Sequence, residues 1–362
     1  MRAIVTGQVG VDKGPYLESV RALATKAGID LQVCHVGKMM YQEAPDVPAG
    51  RILNLPITRL NALRRAVFKE ILSLADRHEH ILINTHATFR WRHGLFSAFD
   101  YDQIKAFNAD LYITMLDNVE SVHQRLLRDH DLDHTLKDIM VWREEELLAT
   151  EIIATITRGY GRFFMISRGR NVPTVQTIER LLFHRDMKKV YVSFPMSHVM
   201  DLPDTLAEIE AFKAIIHEHF ICFDPADVDE FMLHKLALQA LEAGSTTIHV
   251  QAAEGPITLK TQDVTQISGD ILGQIYARDF KMIDQADMIV SLVPELPNGK
   301  PGLSSGVERE LHHAYESGKE VYVVWACRAM PSPFITETAT KVFRTTAEAT
   351  DYFRAKKYIA GA

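Results

Sequence analysis

Two carboxylates and one lysine stand where this sequence most readily builds chemistry. Glu310 lies at the start of a helical pattern, Val307 to Ser317, after a loop rich in Gly, Pro and Ser from Pro294 to Gly306. A carboxylate there is kept ionised by the positive end of the helix dipole, and it can act as a nucleophile or stabilise a cation. Asp279, on a second helical pattern from Asp270 to Ala286, could hold hydroxyl groups or deliver a proton. Ser304, Ser305 and the backbone of Gly306 precede the Glu310 helix, an arrangement that cradles a phosphate and equally one that caps a helix. Far upstream, Gly7, Gly10 and Lys13 fall in a glycine loop between a strand and a helix, where backbone N–H groups and a lysine can surround phosphates.

The elements that must position these groups read as two α/β halves. In the first, strands are expected at Arg2–Thr6, His80–Asn84, Leu111–Leu116 and Phe163–Ser167. Helices are expected at Tyr16–Ala27, Val119–Arg128, Leu136–Ile156 and Val175–Phe183. In the second, short apolar runs at Lys189–Phe194, Phe220–Phe223, Met288–Val293 and Val321–Trp325 alternate with helical patterns, among them Thr205–His219 and Asp227–Ala243. A strand-like Lys341–Arg344 and a helix Ala347–Lys357 close the chain. Thr246–Val250 and Ile257–Leu259 alternate as a small hairpin around Glu254-Gly255-Pro256, a piece that could cover a pocket or meet a neighbour. Strand, helix, strand order predicts parallel sheets, whose ligands gather at the carboxyl ends of the strands.

The run YARDFKMIDQADMIVSLV, followed by SSGVERELHHA, resembles the nucleoside 2-deoxyribosyltransferase family and its nucleotide N-glycosidase relatives. Asp279, Ile283 and Ala286-Asp287 match one motif, and Gly306 with Glu310-Leu311 matches the other, over a resemblance spanning roughly Lys188 to Arg328. It implies Glu310 as nucleophile and Asp279 as the group that holds the sugar or helps the base leave. Ser304 would lie near a 5′-phosphate, and Tyr191, Ser193 and His198 would line the sugar side, although Tyr191 suits a core position as well. Such an enzyme stabilises positive charge at C1′ with a carboxylate and passes the sugar to water or to a second base. It needs no cofactor.

The first half, to about residue 185, resembles the archaeal type of adenylate kinase. There the glycine loop opens the chain, a strand ending Asp-Thr-His follows, and a later strand leads into an arginine-bearing lid. The residues implied at a nucleotide are Gly7, Gly10 and Lys13, with Arg90, Arg125 and Arg128. Three departures fall on one chemistry. Gly14 replaces the hydroxyl that ligates Mg²⁺, Asn84 replaces the aspartate, and Asp12 stands at the second signature glycine. Phosphoryl transfer depends on metal and positive charge to offset charge on the phosphate oxygens. The expectation is therefore a kinase-like module that binds nucleotide or serves assembly, with ATP and Mg²⁺ used only if that half is active.

Composition sets the remaining bounds. A chain of 362 residues, 47% hydrophobic, is long enough for two domains, placed at 1–185 and 188–362 across the charged junction His184–Lys189. A net charge of −7 gives no basic footprint for nucleic acid. Three scattered cysteines form no metal or disulfide pattern, and the 16 histidines contain no zinc-type spacing. No apolar run reaches membrane-spanning length. The expectation is thus a cytoplasmic, self-associating α/β protein with two parallel-sheet domains, a three-layer P-loop kinase-like one followed by a Rossmann-like one. It would be an N-glycosidase or deoxyribosyltransferase acting on a nucleoside or its 5′-monophosphate. Bifunctional kinase plus N-glycosidase, and non-catalytic nucleotide sensor, are the alternatives.

Overall fold

The computed structural model describes residues 1–169, 173–228 and 230–359, apart from the side chains at 197 and 198. The chain divides into two compact units. Unit 1 comprises Met1–Phe183 with Asp227–Ile275, and unit 2 comprises His184–Ala226 with Tyr276–Ala362.

Unit 1 opens with β1 (Arg2–Thr6), the glycine loop and α1 (Gly14–Lys26). Pro15 sits in the first turn of α1, where its missing N–H costs nothing. Then follow β2 (Leu31–His35), α2 (Val36–Glu43), α3 (Ile57–Ala75), β3 (His80–Asn84), a small ribbon of β4 (Thr88–Trp91) and β5 (Gly94–Ser97), and α4 (Tyr101–Phe107). The segment continues through β6 (Leu111–Leu116), α5 (Val119–His130), α6 (Leu136–Arg158), β7 (Phe163–Ser167) and α7 (Pro173–Phe183). The five main strands are parallel in the order β2-β3-β1-β6-β7. Their residues are buried almost throughout, because helices cover both faces of such a sheet. The carboxyl ends of β1, β3, β6 and β7 therefore deliver Gly7, Asn84, Asp117 and Arg168 to one edge.

Unit 2 holds β8 (Lys189–Ser193), α8 (Met196–Val199), α9 (Pro203–His219) and β9 (Ile221–Phe223). The chain then returns to unit 1 for α10 (Phe231–Glu242), the hairpin β10 (Thr247–Ala252) and β11 (Gly255–Lys260), α11 (Thr261–Gln266) and the first part of α12 (Ser268–Gln285). Back in unit 2 come β12 (Met288–Pro294), α13 (Ser305–Glu316), β13 (Glu320–Ala326), α14 (Pro333–Thr336), β14 (Lys341–Phe343) and α15 (Thr346–Ala355). Its sheet is parallel, in the order β14-β13-β12-β8-β9. This is a doubly wound arrangement whose switch point lies between β8 and β12. Val190, Val192, Phe212, Ile216, Leu292 and Phe353 belong to its buried core.

Two parallel-sheet α/β units agree with the fold read from the sequence. Residues 227–275, which the sequence reading placed in the second domain, lie with the first unit. The reason is electrostatic as well as apolar. Glu230 is fully buried and accepts from both Nη atoms of Arg143, at 2.7 and 2.9 Å, and from the Val119 N–H at 2.8 Å. A buried guanidinium that loses its carboxylate keeps the desolvation cost without the Coulomb gain. Glu230→Ala should thus lower stability by about 3–5 kcal/mol in urea unfolding, and Arg143→Met combined with it should recover a large part of that loss.

Candidate functional site

The glycine loop keeps a phosphate-binding shape despite its altered sequence. Gly7 has φ +146°, and a Cβ there would lie 2.6 Å from the Met115 carbonyl, so no other residue fits. Asp12 takes φ +54°, the left-handed conformation that the signature glycine would adopt freely. Aspartate tolerates that region better than most residues. Its carboxylate is half exposed and lies 3.7 Å from the Arg168 guanidinium, which offsets part of its charge.

Three buried side chains fix the loop. Glu146 of α6 accepts from the N–H groups of Gly7 (2.9 Å), Ala87 (2.8 Å) and Thr88 (2.7 Å), and from the Thr88 hydroxyl at 2.8 Å. Lys13 Nζ donates to the Gly7 carbonyl at 2.8 Å, and burial pushes its pKa down to about 8 against the pull of Glu146 and Asp12. His86 shares that carbonyl at 2.6 Å, so its Nδ1 carries the proton. Burial, with Lys13 nearby, holds its pKa well below the ordinary value.

Beside the loop lies a cavity of about 380 Å³. Lys13, Lys38, Tyr41, Arg64, Asn84 and His130 are among its walls. Sequence reasoning missed Arg64. It is buried on α3, donates through Nη1 to Asn61 Oδ1 and the Ser97 carbonyl at 3.2 and 3.3 Å, and leaves Nη2 without a partner. The signal was present, since Arg64 falls on the buried stripe Leu60, Val67, Phe68 and Ile71, where an arginine is out of place unless it serves something. Asn84 hydrogen-bonds His35 Nδ1 at 2.9 Å, and His35 Nε2 meets Glu18 at 2.7 Å. The position that the resemblance gives to a metal-side aspartate is thus taken up in an amide–imidazole–carboxylate chain. Among the described residues no group of three or more His, Cys, Asp or Glu side chains could hold a metal ion.

The other basic candidates part company. Arg90 is paired with Glu145 and is not among the residues lining the cavity. Arg125 and Arg128, on α5, both meet Glu254 of the hairpin, and Arg125 also reaches the Gly10 carbonyl at 2.8 Å.

In unit 2 the expected residues converge near the sheet's switch point. Ser193, at the end of β8, donates to Glu310 at 2.6 Å and accepts from Ser291 of β12 at 3.3 Å. Burial, then the like charge of Asp279, pushes the Glu310 pKa up to about 7, while Ser193 acts the other way. Asp279 is pushed up to about 6 by burial, with Arg278 opposing. Tyr191 is fully buried, and burial with these two charges raises its pKa well above the ordinary value. The helix dipole does not keep Glu310 ionised as expected. Glu310 lies in the second turn of a helix that begins at Ser305, beyond the first turn where the dipole acts. Ser304 caps that helix, its hydroxyl accepting from the Val307 N–H at 3.2 Å, and Ser305 and Gly306 are exposed. The His198 side chain lies outside the described residues.

Comparison with known proteins bears on unit 1. A family model described as an AAA domain matches residues 6–143. The adenylate kinase of Pyrococcus furiosus is 27% identical over 158 residues, covering 42% of this chain and 78% of that protein. The adenylate kinase of Pyrococcus abyssi is 29% identical over the same length and shares. Among solved structures, a shikimate kinase from Bacteroides thetaiotaomicron has a TM-score of 0.34 at 12% identity, covering 51% of this chain and 97% of that one. A gluconokinase from Sinorhizobium meliloti 1021 has a TM-score of 0.30 at 11% identity, covering 51% and 96%.

These findings correct the enzymatic expectation. The family model and the sequence relatives fall on the N-terminal region and are of the kinase kind, which points away from an N-glycosidase or deoxyribosyltransferase and toward the kinase activity rated second. They say nothing of a deoxyribosyltransferase-like second domain. The physical reason for underrating the kinase is visible in the loop, where Asp12 adopts the glycine conformation and leans on Arg168 without closing the cavity. Among the described residues no helix is long and apolar enough to cross a membrane. The N-terminal region is an adenylate-kinase-like P-loop domain.

The acidic pair of unit 2 makes a separate prediction. Both folded-state pKa values lie above those of free carboxylates, so the folded chain binds more protons than the unfolded one between about pH 4 and 7. Stability from this pair is therefore lost as pH rises through that window. Glu310→Gln should leave stability near pH 5 almost unchanged and raise it at pH 8, as read by urea midpoints across pH.

Proposed function

We propose that unit 1 binds a nucleoside triphosphate at the Gly7–Gly14 loop and transfers its terminal phosphoryl group to a nucleoside monophosphate held in the adjoining cavity. One observation carries the reading. The cavity, of about 380 Å³, sets Lys13 of the glycine loop and a buried Arg64 with an unbonded Nη2 among its walls, with Lys38 beside them. An unpaired buried guanidinium is expensive, and a phosphate is the ligand that its planar donors match best. The sequence relationship to two adenylate kinases over 42% of the chain supports the same substrate class.

Phosphoryl transfer here breaks the bond between the terminal phosphorus and its bridging oxygen and forms one to a monophosphate oxygen, giving two diphosphates. Catalysis of this kind is mostly positioning and charge stabilisation. Lys13 would neutralise the phosphates of the donor, and Arg64 would hold and orient the acceptor phosphate. The residues do not fit a resident Mg²⁺, because Gly14 lacks a hydroxyl and the Asn84 amide is engaged by His35. Any metal would come with the nucleotide as part of the substrate.

The test is production of ADP from ATP and AMP by the full chain, with a panel of other monophosphates as acceptors. Lys13→Ala should abolish turnover and weaken ATP binding. Arg64→Met should raise the KM for the monophosphate by about tenfold or more while leaving the KM for ATP nearly constant. Because Lys13 must be charged and titrates near 8, ATP affinity of the free protein should fall as pH rises past that value. Absence of turnover with every acceptor, in a folded protein that binds ATP, would overturn the transfer step.

A further inference from the structure

The arginines that α5 carries beside the glycine loop are already occupied, and by a residue from far along the chain. The β10–β11 hairpin turns through Ala253 and Glu254. Glu254 Oε1 accepts from Arg125 Nε at 2.7 Å, and its Oε2 accepts from Arg128 Nη1. The Ala253 N–H donates to the Ser121 hydroxyl at 3.1 Å, which seats the tip on α5.

Arg125 shows what this contact does to the loop. It is 1% exposed, and its Nη1 donates both to the Gly10 carbonyl at 2.8 Å and to Asp117 at 2.7 Å. Its Nη2 is buried with no acceptor. Asp117 also receives Arg168, which in turn faces Asp12. Arg125 and Arg168 thus stand at the glycine loop, and Glu254 bridges Arg125 to Arg128 with its two oxygens, as a phosphate group would, while Nε and Nη2 of Arg128 rest on Asp129.

We propose that Glu254 is a built-in occupant of the phosphate-binding place formed by Arg125 and Arg128, and that the hairpin tip must leave before a nucleoside triphosphate can engage those arginines. The inference rests on the reading that unit 1 binds nucleotide, and it adds an intramolecular competitor to that site. A second anion beside Glu254 would be repelled while the carboxylate remains. The hairpin suits such movement. It is a two-stranded ribbon that buries Ile248, Val250, Ala252 and Leu259, while Thr247, His249 and Gln251 are exposed. Ribbons of two strands have little stability of their own.

The experiment is calorimetric titration of the full chain with ATP in magnesium buffer, for the wild type, Glu254→Gln and Lys13→Ala. Glu254→Gln should bind ATP about tenfold more tightly than the wild type. Hydrogen exchange of residues 247–260 should quicken in the wild type when ATP is added. Should Glu254→Gln fold poorly, Glu254→Asp is read the same way, since its carboxylate is one methylene too short to bridge both guanidinium groups. ATP binding that depends on Lys13 but is unchanged or weaker in Glu254→Gln overturns the competition and leaves the nucleotide reading intact. Slower exchange of the hairpin with ATP overturns it too. No ATP binding in either the wild type or Glu254→Gln overturns both.

Discussion

One buried carboxylate holds the working edge of unit 1 in register. Glu146 has no exposure, and its two oxygens accept four donors that belong to the glycine loop, to the turn after β3 and to the first residue of β4. Backbone amides in those places have no ladder partner of their own, and a buried orphan N–H costs as much as a lost hydrogen bond. Burial raises the pKa of Glu146, yet with both oxygens used only as acceptors the geometry is that of the ionised form. The side chain therefore ties α6, β1 and β3 together at the position where Lys13 and His86 share one carbonyl. Beneath it, the hydroxyl of Thr6 meets those of Thr114 and Thr150 at 2.9 and 2.7 Å, which seats α6 on the strands with no polar atom of the trio unpaired.

The loop's altered sequence matters less to its shape than to its charge. Asp12 gives up about 1–2 kcal/mol in a conformation that glycine adopts freely. That cost is bearable because the surrounding contacts over-determine the turn. What the substitution changes is the field, and here Arg168 and Arg125 at the loop, with Arg128 on the same helix as Arg125, carry positive charge that Asp117, Glu254, Asp129 and Asp12 largely balance. An edge so balanced is sensitive to the removal or addition of a single charge, because low-dielectric pairs are screened weakly by salt.

Several elements were legible in the residues, and their physics says why. Met288–Val293 and Val321–Trp325 are largely apolar runs of strand length, and they became the central strand β12 and its neighbour β13. The alternation around Glu254-Gly255-Pro256 gave the hairpin within two residues. In contrast, β2 carries Gln32 and His35 among its five residues, so its pattern resembles a loop, although the sheet pairs it along its length with β3. The long α3 was hidden by Arg64 and Arg65, which interrupt the apolar stripe that defines it. That interruption was the mark of the cavity wall. The convergence of Glu310, Asp279, Tyr191 and Ser193 was also legible, because strand ends and helix starts of a parallel sheet meet at one edge. The chemistry attached to them was not, since two carboxylates on one edge do not by themselves name a substrate.

The discontinuity of unit 1 reaches back to how the protein is made. Its sheet is complete when β7 has been synthesised, but Arg143 finds Glu230, and Arg125 finds Glu254, only after about sixty and about ninety more codons have been read. Until then Arg143 lacks the carboxylate that it pairs with and Arg125 has Asp117 but not Glu254, a partly assembled form less stable than its finished strands suggest. Folding of the first unit is therefore timed by the emergence of its own returning segment, Asp227–Ile275, and a gene fragment ending at the charged junction would encode a different, weaker protein than the same residues form in the whole chain.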